Sequence, residues 1–195
     1  MELVRCFIAI GLTEEIKAGL KHLQAQLKSG DQPGVKWVDP YSIHLTLKFL
    51  GNVAADRIDP ITAAMEEAAQ GVPPFHLEVK DLGVFPNLRR VQVAWVGIGG
   101  EVDQIIRLQK RIESNLAPLG FAPESRAFTP HLTLARLRRE ASPAEQPSLG
   151  ELITSTKFDE VYGFSVDAIN LMKSQLTREG AIYSRTSVIR LKTIN

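Results

Sequence analysis

"HLTL" stands at residues 44–47 and again at residues 131–134, and the two copies hold two of the chain's four histidines. The tetrapeptide alternates polar and apolar side chains, the period of a strand with one buried face. His44 and Thr46 then share one surface, with Leu45 and Leu47 on the other; His131 and Thr133 share one surface, with Leu132 and Leu134 opposite. Each copy predicts an imidazole beside a hydroxyl, anchored by two leucines in a core. One such strand would read as structural. Recurrence of a histidine-bearing tetrapeptide in so short a chain points instead to duplication or shared chemistry.

Outward from the repeat, segments 4–12, 44–50, 75–79, 91–96, 131–137, 161–166, 168–173 and 184–191 have the period-two or β-rich character of strands. Three helices are predicted between them. Thr13 caps the first, whose stripe is Ile16, Leu20, Leu23 and Leu27, ending near Gly30. The second has Asp59-Pro60 at its start and Ile61, Ala64, Met65 and Ala68 on its buried face, before Gly71. The third carries Val102, Ile105, Leu108, Ile112 and Leu116, with Gly120 just beyond it. Gly97-Ile98-Gly99-Gly100 lacks the GxGxxG spacing of a dinucleotide cradle and reads as a turn. The stretch from Arg138 to Gly150, with Pro143 and Pro147, reads as a long surface loop. Too little chain follows it to fold alone, so residues 1–195 are expected to form a single domain of two lobes.

Composition bounds the function. With 195 residues, 44% apolar and 23% charged, the chain belongs with globular proteins that close a core. The 23 basic and 22 acidic side chains leave a net charge of +1, so no global field favours nucleic acid or an anionic membrane, and any RNA contact must be local. Cys6 is the sole cysteine and no zinc-type Cys/His spacing occurs, which predicts a reduced, cytoplasmic protein without metal or other cofactor. The apolar run from Cys6 to Leu12 lacks a basic leader and reads as a strand rather than a signal peptide. No segment approaches the roughly 20 apolar residues of a membrane span. A monomer is expected.

Two imidazoles with ordinary pKa near 6.5 suit one task well: one takes a proton from an attacking oxygen while the other gives a proton to a leaving oxygen, with phosphorus between them. Thr46 and Thr133 can donate hydrogen bonds to the non-bridging phosphate oxygens. Zinc hydrolysis would ask for three protein ligands, and no third His or Cys completes such a set.

Several blocks in order resemble the bacterial and archaeal RNA 2′,3′-cyclic phosphodiesterases, also called 2′-5′ RNA ligases, of the two-histidine phosphoesterase superfamily. They are "RCFIAIGL" at 5–12, "VKWVDPYSIHLTLKFLG" at 35–51, "VFPNLRRVQVAWVGI" at 84–98, "FTPHLTLAR" at 128–136 and "INLMKSQLTREGAIYS" at 169–184. Ile43 and Tyr41-Ser42 depart from the commonest flanks of the first motif without touching a reacting group. The resemblance implies an α+β fold: two antiparallel sheets about a pseudo-two-fold, helices outside, and the HxTx strands lining a central cleft. It implies hydrolysis of a 2′,3′-cyclic phosphate at an RNA 3′ end to a 2′-phosphate, with His44 as proton donor and His131 as proton acceptor. The symmetry of the motifs does not itself assign those roles. Two further readings stay open: joining of cyclic-phosphate and 5′-hydroxyl ends in a 2′-5′ linkage, and a non-catalytic RNA-end-binding protein.

Other residues are weighed singly. Arg136 lies five positions after His131, on the opposite face of a regular strand, so it needs a bulge or the strand's end to reach phosphate. Arg5 and Phe7, two apart, and Tyr183 are possible substrate contacts through charge and base stacking, although Phe7 also fits the core. Arg89-Arg90 and Arg138-Arg139 are at most affinity groups along an RNA backbone. His22 and His76 have no motif and read as surface or satisfied histidines, and Trp37 and Trp95 as core or cleft wall.

Overall fold

The computed structural model describes residues 3–28, 32–177 and 181–193. The expected helix end near Gly30 and positions 178–180 of the last resembling block lie outside the described residues. Among the described residues, nine strands and four α-helices follow in the order β1 (Leu3–Ile10), α1 (Glu14–Leu27), β2 (Val35–Trp37), β3 (Leu45–Ala54), α2 (Ile58–Ala69), β4 (Phe75–Phe85), β5 (Val93–Gly100), α3 (Val102–Leu116), β6 (His131–Leu137), α4 (Glu145–Ser155), β7 (Tyr162–Val166), β8 (Ala168–Leu176) and β9 (Ala181–Arg190).

The strands make two antiparallel sheets, ordered β3-β1-β8-β9 and β2-β6-β5-β4-β7. The second order repeats the first with β6, β5, β4 and β7 in the places of β3, β1, β8 and β9, plus β2 at the edge. This is the pseudo-two-fold. Each half runs strand, helix, motif strand, helix, and then sends a strand across: β4 pairs with β5 and β8 pairs with β1. Exchange of those strands interlocks the lobes, and one apolar cluster runs through both, from Ile8, Leu45 and Leu171 to Leu77, Val96 and Leu132.

Local chemistry explains the elements. The Thr13 hydroxyl accepts the Ile16 N–H at 3.3 Å and caps α1, as expected. In α2 the first turn starts one residue earlier than Asp59, after a 3-10 turn at Ala55–Arg57. The predicted loop at 138–150 is corrected: α4 begins inside it at Glu145. Pro147 sits in its first turn, where no intrahelical N–H partner is needed, so proline there signals a start rather than a break. Leu149 and Ile153, four apart, supply the buried stripe. The Glu145 carboxylate accepts from Ser142 N and Gly34 N, both at 2.7 Å, tying the helix start to the turn before β2.

The predicted turn at Gly97–Gly100 is likewise corrected, since β5 continues through it. Only Gly100 leaves extended geometry, at φ +80, where a Cβ would lie 2.8 Å from the His76 carbonyl. The predicted strands otherwise hold, β1 and β7 a little shorter than expected, β6 with the expected bounds and the rest longer, and the three-residue β2 was missed because three residues carry too little pattern. Among the described residues no helix is long and apolar enough to cross a membrane.

Candidate active site

The two motif strands are alike beyond their shared letters. From His44 to Phe49 the side chains run half-buried, buried, half-buried, buried, buried, exposed, and from His131 to Arg136 the same sequence recurs. The doubled buried position marks a bulge. Ile8 pairs with Lys48 and Ala9 with Thr46, leaving Leu47 unopposed; Ala94 pairs with Ala135 and Trp95 with Thr133, leaving Leu134 unopposed. An extra residue reverses the alternation beyond it, so the fifth residue after each histidine returns to the histidine's face. Arg136 thereby meets the condition that regular pairing denied it. Its counterpart is Phe49, 57% exposed at the cleft, which sequence reasoning passed over.

Both imidazoles are set by one device. His44 Nδ1 donates to the Ser42 carbonyl at 2.8 Å, and His131 Nδ1 donates to the Thr129 carbonyl at 2.7 Å. A carbonyl only accepts, so the proton sits on Nδ1 and Nε2 is left for chemistry. Ser42 closes a 3-10 turn begun by Asp39, whose carboxylate accepts the Tyr41 N–H at 3.1 Å. Thr129 precedes Pro130, which favours extended backbone at the residue before it.

Aromatic rings pack round each histidine. Phe7 stacks on His44 with centroids 4.5 Å apart, and Tyr183 meets it edge-on at 5.1 Å. Phe85 meets His131 edge-on at 5.0 Å, with Trp95 at 6.3 Å. Phe85 carried no signal in the sequence, whereas Phe7 is both core and cleft wall. Burial lowers the pKa of both imidazoles below 6.5, against the upward pull of each carbonyl bond, and the Arg136 charge lowers His131 further.

A cavity of about 420 Å³ is lined from the first lobe by Arg5, Phe7, His44, Thr46 and Phe49, from the second by Thr133 and Arg136, and from the β8–β9 hairpin by Ser174 and Tyr183. It gathers every expected site residue except His131, which lies two residues before Thr133 on the same strand face. His22 is on the surface beside Gln26, and His76 is exposed on β4, both away from the cleft lining. Among the described residues no group of three His, Cys, Asp or Glu gathers as a metal site would need.

The bulges are gripped from the opposite half of the chain. Lys48 Nζ is buried and donates to Glu113 of α3 at 2.7 Å and to the Ala122 carbonyl at 2.9 Å, while Gln109 steadies the other Glu113 oxygen at 3.0 Å. The Leu134 carbonyl accepts from Val38 N at 2.9 Å and from buried Gln24 of α1 at 3.1 Å. Each half's first helix thus holds the other half's reactive strand.

The LigT-like phosphoesterase family model matches twice, over residues 10–95 and 96–183, one match per half. An RNA 2′,3′-cyclic phosphodiesterase of Methanothermobacter thermautotrophicus is 35% identical over 96% of this chain and 99% of its own length. One from Aquifex aeolicus is 28% identical over 94% and 95%. Among solved structures, Escherichia coli LigT complexed with 3′-AMP superposes with a TM-score of 0.75 at 26% identity, covering 97% of this chain and 99% of that one. A Thermus thermophilus protein at 24% identity shares the fold, with a TM-score of 0.76 over 96% and 97%.

Proposed function

The chain belongs to the LigT-like phosphoesterases, and from that premise we propose that it hydrolyses RNA 2′,3′-cyclic phosphate ends to 2′-phosphomonoesters by a metal-independent histidine pair. The observation that carries the reading is the mirrored His-Thr arrangement, each imidazole locked by a carbonyl bond on Nδ1 and each on a strand bulged at the same place. His131 Nε2 takes a proton from water as its oxygen bonds to phosphorus. The bond from phosphorus to O3′ breaks, and His44 Nε2 delivers its proton to that oxygen. Thr46 and Thr133 donate to the non-bridging oxygens, and Arg136 offsets their charge.

The unequal fifth residues support this direction. Arg136 disfavours a second positive charge on His131, which suits a base. No charged neighbour contributes to the lowered pKa of His44, and its side of the cavity carries Phe7, Phe49 and Tyr183, surfaces on which the terminal base of the ribose bearing O3′ can stack, with Arg5 toward its phosphates. The strand exchange and common core support one two-lobed domain acting as a unit. RNA contact is local, as the balanced charge requires.

End-group analysis of a cyclic-phosphate oligonucleotide tests the reading: a 2′-phosphate product at undiminished rate with chelator is expected. A 3′-phosphate product, or loss of turnover on chelation, overturns it. The pH profile gives a second expectation. Activity needs His131 neutral and His44 protonated, and both lose protons below 6.5 in the free protein. The optimum of kcat/KM therefore lies on the acid side of 6.5. A bound phosphate anion favours the protonated imidazole, so the alkaline limb of kcat falls at higher pH than that of kcat/KM. In Arg136→Met the His131 titration followed by NMR moves upward, since a lowering charge is gone, and the acid limb of kcat/KM moves with it.

A further inference from the structure

The amide with which α1 grips the second motif strand has another partner. Gln24 is buried, and its Nε2 donates to the Val38 carbonyl at 2.7 Å as well as to the Leu134 carbonyl at 3.1 Å. The Val38 N–H also reaches the Leu134 oxygen, at 2.9 Å. Val38 stands where the chain leaves β2 of the second sheet for β3 of the first, and it precedes Asp39, the cap of the turn whose Ser42 carbonyl holds His44 Nδ1. Leu134 is the unopposed residue of the bulge that returns Arg136 to the face of His131. One amide thus touches the root of the turn that aims His44 and the bulge that aims Arg136.

The buried positions of α1 and α3 fall at the same spacing, and Gln24 occupies in one the place of Glu113 in the other. The two residues differ because their targets differ. Glu113 meets the Lys48 ammonium, whereas the matching place on the second motif strand is Ala135, which leaves backbone oxygens to be met. Those oxygens call for a donor, and a carboxylate would set negative charge against both of them. A reversed amide would do the same with its own oxygen, so the orientation is fixed by the partners. It leaves Oε1 buried and without a hydrogen-bond partner among the described residues, at a cost in stability that methionine, of similar size, does not incur. Packing alone does not account for glutamine here; its pair of N–H bonds does.

We propose that Gln24 is a positioning residue for both halves of the reaction, holding the turn that aims His44 and the bulge that aims Arg136 in register with each other. The inference rests on the reading of His44 as the acid and Arg136 as the cation at the phosphate. Those two groups come from strands in different sheets, β3 and β6, which share no ladder, so backbone pairing does not set their separation. The contact of Val38 with Leu134 sets it, and the Gln24 amide clamps that contact. Gln24 itself does not line the cavity, whereas Val38 does. Its effect therefore passes through the geometry of groups that do, and geometry of this kind acts on the chemical step more than on binding.

The test compares Gln24→Met with Leu20→Ala, a truncation of a buried leucine one turn earlier on α1 with no polar atom to offer either carbonyl. Both are assayed in the full chain on a cyclic-phosphate oligonucleotide, well below their unfolding midpoints. Gln24→Met is expected to lower kcat about 10-fold with KM nearly unchanged, within the roughly 100-fold that a misplacement of 1 Å can cost. Leu20→Ala keeps the wild-type kcat although its midpoint falls. Nitrogen-15 NMR on the alkaline side of about 6.5 reads the neutral imidazoles. The wild type shows both histidines with the proton on Nδ1; in Gln24→Met, His44 gains a fraction with the proton on Nε2, while His131, held by Thr129, does not. Arg136→Met costs several-fold less in the Gln24→Met background than alone, since the guanidinium is no longer held in place. A wild-type kcat in Gln24→Met, an equal kcat loss in Leu20→Ala, or a His44 that keeps its proton wholly on Nδ1 overturns the positioning role. If the methionine variant does not fold, Gln24→Asn, whose shorter side chain withdraws the amide from both carbonyls, is read by the same signals. A wild type that does not open the cyclic phosphate overturns the hydrolase reading, and the His44 tautomer still decides whether Gln24 positions the ring.

Discussion

Replacing either histidine by alanine is expected to lower kcat for a cyclic-phosphate oligonucleotide by about 10²- to 10⁴-fold, the range for losing a positioned acid or base. The fold survives in both variants, because each ring is half-buried at a cleft and its strand is anchored by fully buried leucines. Circular dichroism and the unfolding midpoint check that point. The two variants separate when the leaving group changes. A phosphodiester that expels a nitrophenolate needs no proton on its leaving oxygen, so His44→Ala regains most of its deficit on that substrate. His131→Ala does not, since water still has to be activated. The opposite pattern exchanges the two roles, and equal recovery in both removes acid-base catalysis from the account. The double variant loses much less than the product of the single losses, because both groups act in one transition state.

How far the sequence carries such an argument can be seen at particular residues. The alternation in HLTL was enough to place His44 with Thr46 and His131 with Thr133, since period two is a local property of extended backbone. The bulges were not legible. Nothing in "HLTLKF" or "HLTLAR" marks an unopposed leucine, because a bulge is a relation between two strands distant in the chain. Arg136 therefore carried a condition that only pairing could meet. Phe49 was within reach, since aligning the repeats puts it opposite Arg136. Phe85 was not, because its approach to His131 depends on the register of β4, β5 and β6. The helix α4 was hidden by Pro147 and small polar neighbours, which read as loop until the first turn is located.

The largest stability effect is expected at a pair with no part in the chemistry. Lys48 and Glu113 are among the few buried charged groups, and their bridge joins the bulge of the first motif strand to α3 across the lobes. Glu113→Ala removes the counter-charge while the ammonium stays in the core with only the Ala122 carbonyl. Breaking a buried pair from one side costs about 3 to 5 kcal/mol, against a total stability of about 5 to 15 kcal/mol for an ordinary domain. The thermal midpoint should fall by on the order of 10 °C. Removing both charges together has a different outcome. In Lys48→Met with Glu113→Leu no charge is stranded, the side chains keep similar volume, and most of the lost stability returns. Urea unfolding of the two single variants and the double gives the coupling directly. A double variant no more stable than Glu113→Ala would mean that the ammonium's bond to the Ala122 carbonyl, rather than the ion pair, holds the bulge in place.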